Sequence, residues 1–569
     1  MTIITAKVCD LILSVLGSGG TDMKPFVIRD PVHSYLDIAA HERVIVDHPA
    51  TQRLRRVSQT GFAEMVFPEA RTSRLTHSLG AMHLSSRFLT SAIQNADLAT
   101  QDQFLLELKE LTHQKNLDIF SPAASESGRS LGLKTSHSTL PQKFVEHLPS
   151  IAYIEAALRL AALFHDLGHL PFSHDFEYSL SEAIGRMADT PNLNAEGDRL
   201  KRLLVLAPHE VLGHEIAPLI LKVVEPSISS NGSLRGIYSA FDLATKILNS
   251  SKQHSDRQGL VDWLHSLVDG EVDADRADYL LRDGRALGLD FASYDLDRLA
   301  RSIALHYDST NGFSTVVDYR GLTALESFFL SRARSHHAFV RHHKSAQIAA
   351  AFRHISTSLL ISDSMKGFRN DLLKIIEHDN NYTAESFSRY TDHWWMESIL
   401  QQAGTLRMSP LGAACFDLIM HRKPTLRSVW KREGDLSDHD TLRLRGALKK
   451  IELPTNQRIV TKRMAEEHNL LLAVHKFKPY SGLPGTSSKT ESAPVSRLQM
   501  RLGNNKYAPV SQMSPLLQAL YHDWEKSLPA HVFALTTDSR SASDIVETLS
   551  QIADSAVPQI SQQENSNGG

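Results

Sequence analysis

Three histidines and an aspartate fall within one ten-residue stretch of the chain, HDLGHLPFSH: His165, Asp166, His169 and His174. Two more places offer the same chemistry, His77 in RLTHSLG and Asp275 in EVDADRADYLLRD. Imidazole nitrogen combined with carboxylate oxygen suits Mn, Fe, Co, Ni or Zn, and suits Mg less well. Adjacent residues on a regular helix point about 100° apart, so one ion takes both His165 and Asp166 more easily near a helix end. Gly168 supplies such an end. An HD dipeptide alone is common, and a lone histidine beside an apolar helix is usually a satisfied core residue. Here the polar cluster directly follows Ile151–Phe164, which is apolar on nearly every side, and unpaired polar groups there are costly. A core has no use for so many imidazoles together, whereas a phosphate site does.

Other spacings narrow the chemistry. HEVLGH places its histidines, His209 and His214, five residues apart rather than four, which argues against a zincin protease. DGEVDADRAD lacks the glycine and closing glutamate of a calcium loop. Arg74 lies one turn before His77, and Tyr279 and Asp283 follow Asp275 at one-turn intervals, so they share its face. Arg332, His336 and His342 recur at four and six residues along a later helix, forming either a phosphate-binding face or a solvated basic one.

The elements that must position these residues are mostly helical. Helices are expected over Arg74–Ala92, Ile151–Phe164, His209–Val224, Asp275–Arg285, and from Leu325 to about Leu360. Strand signals appear from Arg458 to Phe477, near Val495–Leu502 and at His531–Thr536. The expected architecture is mainly α, an HD-type helical bundle with a smaller C-terminal α+β lobe. Its divisions are an N-terminal extension (1–25), a body (26–365) with a surface insertion at about 97–149, a C-terminal lobe for regulation or oligomerisation (366–540) and a tail (541–569). Tyr480–Pro494 reads as a linker.

Composition fits this outline. The chain has 569 residues, 42% hydrophobic and 22% charged, with a formal net charge of −3 and 29 histidines. No global basic field recruits nucleic acid, so at most weak binding of it is expected. Two cysteines, Cys9 and Cys415, exclude a disulfide framework and a cysteine zinc cluster. No apolar run reaches the ~20 residues of a bilayer span, and no signal peptide is expected, so the reading is cytoplasmic with no membrane partner.

The ordered motifs IRDPVHSYLDI, HPATQRLRRVSQTG, VFPEARTSRLTHSLG, HDLGHLPFSH and DADRADYLLRD resemble the HD-domain deoxynucleoside triphosphate (dNTP) triphosphohydrolases. The likeness covers residues 26–95 and 150–350 well, and about 490–537 weakly. It implies His77, His165, Asp166 and Asp275 as ligands of a divalent metal, Mn, Fe, Ni, Co, Zn or Mg. It implies His174 as general acid, oriented by Glu177, with His169 stabilising charge on the α-phosphate and His209 belonging to a His-Glu pair behind the site. The family has aspartate where Glu177 stands. Gln59, Arg74, Arg276, Tyr279, Asp283, Arg332, His336 and His342 would contact substrate. Arg276 replaces a phosphate-binding lysine, which keeps the charge and changes the geometry. Thr60 and Val340 replace a leucine and a tyrosine, leaving base preference open. Asp47, Gln52 and Arg55 match residues that read a guanine activator, although Phe26 and Arg29 stand where that site has lysine and asparagine. A helix-capping network is the other use of the three. An activator site of this kind lies between subunits, so a dimer or tetramer is expected with it. Another HD phosphodiesterase or nuclease activity, or a nucleotide-sensing scaffold, remain alternatives, and both control of dNTP pools and defence against phage fit as purpose.

Overall fold

The computed structural model describes residues 26–115, 117, 120, 140–229, 235–250, 258–474, 498–503, 506–526 and 530–556. Cys9, the N-terminal extension, the SPAASESGRS stretch, the 480–494 linker and the end of the tail lie outside them.

The chain is mainly α-helical, as its periodicity predicts, and one helix organises the body. Leu148–Phe164 is buried from Ile151 to Phe164. It packs between the helices Arg74–Asn95 and Arg235–Asn249. Among its polar commitments is Arg159, whose Nε and NH2 donate to Glu42 at 2.5 and 2.9 Å. Glu42 also accepts the Ala39 N–H at 2.8 Å. That buried pair locks the N-terminal hairpin, β1 (Phe26–Asp30) and β2 (Ser34–Ile38), onto the central helix through the short helix Ala40–Val46. A buried pair is kept for geometry more than for net stability.

Two elements were invisible to the pattern of alternation. The hairpin β1–β2 and the antiparallel pair β3 (Ile303–Asp308) and β4 (Gly312–Asp318) lie in segments with no strand signal. In β3 the reason is plain: Ile303, Ala304 and Leu305 are all buried, so alternation is lost. Conversely, the strand expected from Arg458 begins as a helix, Pro454–His468. Proline at its first turn, Val460 and Met464 buried one turn apart, and the helix-forming run KRMAEEH decide it. Among the described residues of that stretch, Leu470–Val474 is strand, β6.

The C-terminal half divides between two cores. Residues 366–421 continue the main core, and β7 (Gln499–Gly503) returns to pair in parallel with β4, Val316 opposite Gln499. The second core is built on the sheet β5–β9–β6, with β5 Leu426–Ser428 and β9 Ala530–Leu535. Three helices cover it: Asp438–Lys450, Pro454–His468 and Ala542–Ala556. The last occupies the start of the segment read as a tail, with Ile545, Val546, Leu549 and Ile552 buried. No single described helix is long and apolar enough to cross a membrane.

Candidate functional site

The central helix ends at Phe164, with His165 in the capping position. Asp166 is therefore free of helical geometry and turns toward the same point as His165. Gly168 does not end the helix by a left-handed conformation. Its backbone lies against the Pro208–Ser229 helix, where a Cβ would overlap the His209 carbonyl and the Gly213 nitrogen. Gly80, one turn after His77, plays the same part between Arg74–Asn95 and Ala274–Ala286, since a Cβ there would strike Asp278 and Arg282.

The four residues read as metal ligands come together. His77 Nε2 lies 2.8 Å from Asp275 Oδ1 and 3.6 Å from Asp166 Oδ2. His165 Nε2 lies 3.4 Å from Asp166 Oδ1 and 3.5 Å from Asp275 Oδ1, buried and without a hydrogen bond among the described residues. Both opposite ring nitrogens are occupied. His77 Nδ1 faces Asp278 Oδ2 at 2.8 Å, and His165 Nδ1 donates to the Ala162 carbonyl at 2.6 Å. Fixing Nδ1 by an acceptor orients the ring and presents the Nε2 lone pair, as metal-ligating histidines require. Two imidazoles and two carboxylates so arranged fit a divalent ion. Despite burial, which opposes it, the bonds to Asp275 and Asp278 raise the His77 pKa to about 10.

Asp278 escaped the sequence reading. It is fully buried, and besides His77 it accepts from Arg282 Nε and NH2 at 2.8 and 2.9 Å and faces His33 Nε2 at 2.6 Å. Arg282 continues to Asp30 in β1 at 2.8 Å. The available signal was spacing: Asp278 lies one turn after Asp275 and Arg282 one turn further.

Beside this corner, Glu177 gathers three imidazoles. Its Oε1 meets His169 Nδ1 at 2.6 Å, and its Oε2 meets His209 Nδ1 at 2.8 Å and His174 Nδ1 at 3.3 Å. His169 and His209 stack at 4.0 Å. These four also have the types and closeness of a metal site. Their Nδ1 atoms, however, are all committed to one carboxylate, the pattern that orients a proton-carrying histidine. Against the cost of burying it, His209 and His169 hold the Glu177 carboxyl well below its usual range. Burial, Arg74 and His209 press the His169 pKa down to about 4. His169 Nε2 reaches Asp166 Oδ1 at 3.1 Å, which joins the two clusters. His174 is the exposed member, with 59% of its side chain accessible.

The residues read as substrate contacts are placed unevenly. Arg74 does not reach outward. NH1 donates to both Asp166 oxygens at 3.1 and 3.0 Å, and Nε to Ser173 Oγ at 2.9 Å, because a buried carboxylate demands a counter-charge. Arg276 folds back onto Asp273 and the Gly270 carbonyl. Tyr279 sits 6.4 Å from the His77 ring. Asp283 accepts from Thr72 at 3.1 Å, and burial raises its pKa to about 6. Gln59 Oε1 and Thr60 Oγ1 are buried with no hydrogen-bond partner among the described residues. Arg332 and His336 lie near Arg276, and burial followed by Arg332 drives the His336 pKa down to about 3. The expected continuous helix from Leu325 is broken: Leu322–Ser335 passes into a π-turn, His336–Val340, and a new helix starts at His343. That break re-aims His342, which packs against Phe67 and His343. Asp47 pairs with Arg43 at 3.1 Å, and Arg55 donates to Gln52 at 2.6 Å, on the surface of the Ala40–Arg56 segment.

A protein of Dictyostelium discoideum named deoxynucleoside triphosphate triphosphohydrolase SAMHD1 homolog is 25% identical over 354 residues, 60% of this chain and 51% of that one. An uncharacterised protein of Methanocaldococcus jannaschii is 25% identical over 376 residues, 66% of this chain and 57% of that one. A phosphohydrolase structure from Bacteroides thetaiotaomicron superposes with a TM-score of 0.51 at 17% identity, over 90% of this chain and 100% of that one. No family model matches. The chain spans about half the length of the curated relatives it matches. In sequence it is similar to the HD-domain dNTP triphosphohydrolases, and it has the fold of a solved phosphohydrolase.

Proposed function

We propose that the chain is a metal-dependent HD phosphohydrolase that cleaves dNTPs to deoxynucleoside and inorganic triphosphate. One observation carries this reading: a four-ligand cluster with both histidine Nδ1 atoms fixed stands next to a Glu177-held set of imidazoles, linked through Asp166 and His169. His77, His165, Asp166 and Asp275 hold the divalent ion. When bound, the ion supplies an electrophile for a phosphoryl oxygen and a water of lowered pKa. The remaining steps belong to side chains. Glu177 accepts from His174 Nδ1, which leaves Nε2 to protonate the 5′-oxygen of the departing nucleoside. His209 shares that carboxylate and fixes its direction. His169 bears on the α-phosphate, and Arg332 and His336 on the phosphate chain. Gln59, Tyr279 and Asp283 read the sugar. Gln59 Oε1 is an acceptor with no protein donor among the described residues, and Asp283 adds a second buried acceptor, its pKa raised to about 6 by burial.

The names of several relatives support the substrate class. A second reading, hydrolysis of another nucleotide or nucleic-acid end, is favoured by Arg74 and Arg276, whose guanidinium groups are turned to carboxylates. An activating nucleotide at Asp47, Gln52 and Arg55, with a dimer or tetramer formed around it, belongs to the same proposal. The deciding test incubates purified protein with Mn²⁺ and each dNTP or rNTP, alone and in pairs, with products separated by anion exchange. Deoxynucleoside with intact triphosphate is the expected result. Equal cleavage of ribonucleotides would remove the sugar pocket, and no cleavage by a metal-loaded protein would favour the second reading.

A further inference from the structure

The loop that carries the catalytic imidazoles holds an unusual backbone. Phe172 and Ser173 are consecutive non-glycine residues with φ of 54° and 55°. Left-handed conformations are disfavoured for such residues and persist only where the surroundings over-determine them. Ser173 directly precedes the helix His174–Ala188, so this turn sets where His174 points.

The restraint comes from a distant part of the chain. Asp392 Oδ1 accepts the Phe172 N–H at 2.7 Å, and its Oδ2 accepts the Ser58 N–H at 2.8 Å. Ser173 Oγ donates to the Ser58 carbonyl at 2.6 Å. Both backbone groups of Ser58 are thus tied to the turn, one directly and one through Asp392. Ser58 also precedes Gln59. Trp395, one turn after Asp392, packs edge-on at 4.6 Å against Phe176 in the His174 helix. Phe172 itself is fixed by stacking on Phe62 at 4.1 Å.

We propose that Asp392 is a positioning residue, a two-oxygen staple that holds the strained Phe172–Ser173 turn against Ser58 and so aims His174 at the reacting phosphate. It touches neither substrate nor metal. Its neighbour Thr391 provides the natural control, because its side chain caps the same helix, Asp392–Gln401, by accepting the Trp394 N–H, whereas among the described residues it is Asp392 that holds the Phe172 N–H.

The inference rests on the phosphohydrolase reading, so its test has one arm that needs turnover and one that does not. Asp392→Ala, Asp392→Asn and Thr391→Ala are compared with wild type in dNTP hydrolysis, Co²⁺ absorption and amide hydrogen exchange. Both Asp392 variants should lose kcat by about 10²-fold, the effect of a misplaced catalytic group, with KM nearly unchanged. Co²⁺ spectra should match wild type, because the ligands keep their own partners. Exchange at Phe172 and Ser58 should quicken in the Asp392 variants and stay slow in Thr391→Ala. If Thr391→Ala reproduces the Asp392 losses, the residue merely starts its helix and the proposal fails. It also fails if exchange at Phe172 is unaltered. Should wild type cleave no dNTP, the substrate reading falls, and the exchange comparison still decides the staple.

Discussion

The metal corner and the Asp47–Arg55 surface segment hold comparable polar groups in opposite ways. In the corner His77 and Asp166 are buried, and three of the four proposed ligands have a second bond behind them: Asp278 behind His77, the Ala162 carbonyl behind His165, Arg74 behind Asp166. In the surface segment the charged groups pair with neighbours on the surface, Arg55 with Gln52 and Asp47 with Arg43, and Gln52 alone reaches inward, donating to the Val46 carbonyl at 2.7 Å. The first arrangement fixes geometry before any ligand arrives. The second leaves side chains that re-form around one at little cost, since exposed pairs contribute about 0–1 kcal/mol.

The largest effect should come from Asp166→Ala, which removes a ligand and strands Arg74 in the interior. Turnover should fall by about 10³-fold or more, and the melting temperature should drop as well. Retention of activity within tenfold would take Asp166 out of the site. Asp278→Asn sharpens the comparison further, because it leaves all four ligands in place. Loosening the bond behind His77 should weaken Co²⁺ binding by about 10–100-fold. Unchanged affinity in a cobalt titration would show that the outer bond is irrelevant.

A milder effect is expected from acid. Burial lowers the pKa of His41 and of His354 to about 4, and of His83 to about 3. The native state therefore disfavours protonation. Their contribution is fully present above about pH 6.5, the unfolded value, and is lost as pH falls toward 4. Each should cost about 1.4 kcal/mol per pH unit in that window. His41→Leu should flatten the slope, since neither ring nitrogen of His41 has a hydrogen-bond partner among the described residues. Urea titrations at pH 7 and 5 measure it, and an unchanged slope would contradict the assignment. Smallest of all, Arg55→Ala should shift stability by no more than about 0.5 kcal/mol. A larger loss by thermal melting would show the Gln52–Arg55 pair to be structural.

Much of the candidate site was legible because its residues are local in sequence. HDLGHLPFSH is one short loop, and RLTHSLG and DADRADYLLRD lie on helices whose periodicity is plain. What escaped depends on contacts between distant segments. The direction taken by Arg74 and Arg276 follows from which carboxylate is buried beside them, a fact absent from spacing. The π-turn at His336–Val340 adds a register shift that i, i+4 counting misses. Asp392 lies far along the chain from Phe172, in a segment that reads as ordinary helix start. Strands β3 and β4 hid for the related reason that their pairing, not their own pattern, makes them strands, whereas β7 falls in the stretch near Val495–Leu502 where a strand was expected.

The Asp392 staple also has a consequence in time. The bond from Phe172 to Asp392 spans 220 residues. At about 5–20 residues per second on the ribosome, the clamp cannot close until roughly 10–45 s after the loop has emerged. Helices around the central one have ample time to dock in that interval, while the Phe172–Ser173 turn rests on its upstream contacts to Ser58, Phe62 and Arg74 and lacks the two Asp392 bonds. On the proposed function, catalytic competence is thus a late event in the life of each chain, set by the arrival of a residue outside the motif that would do the chemistry.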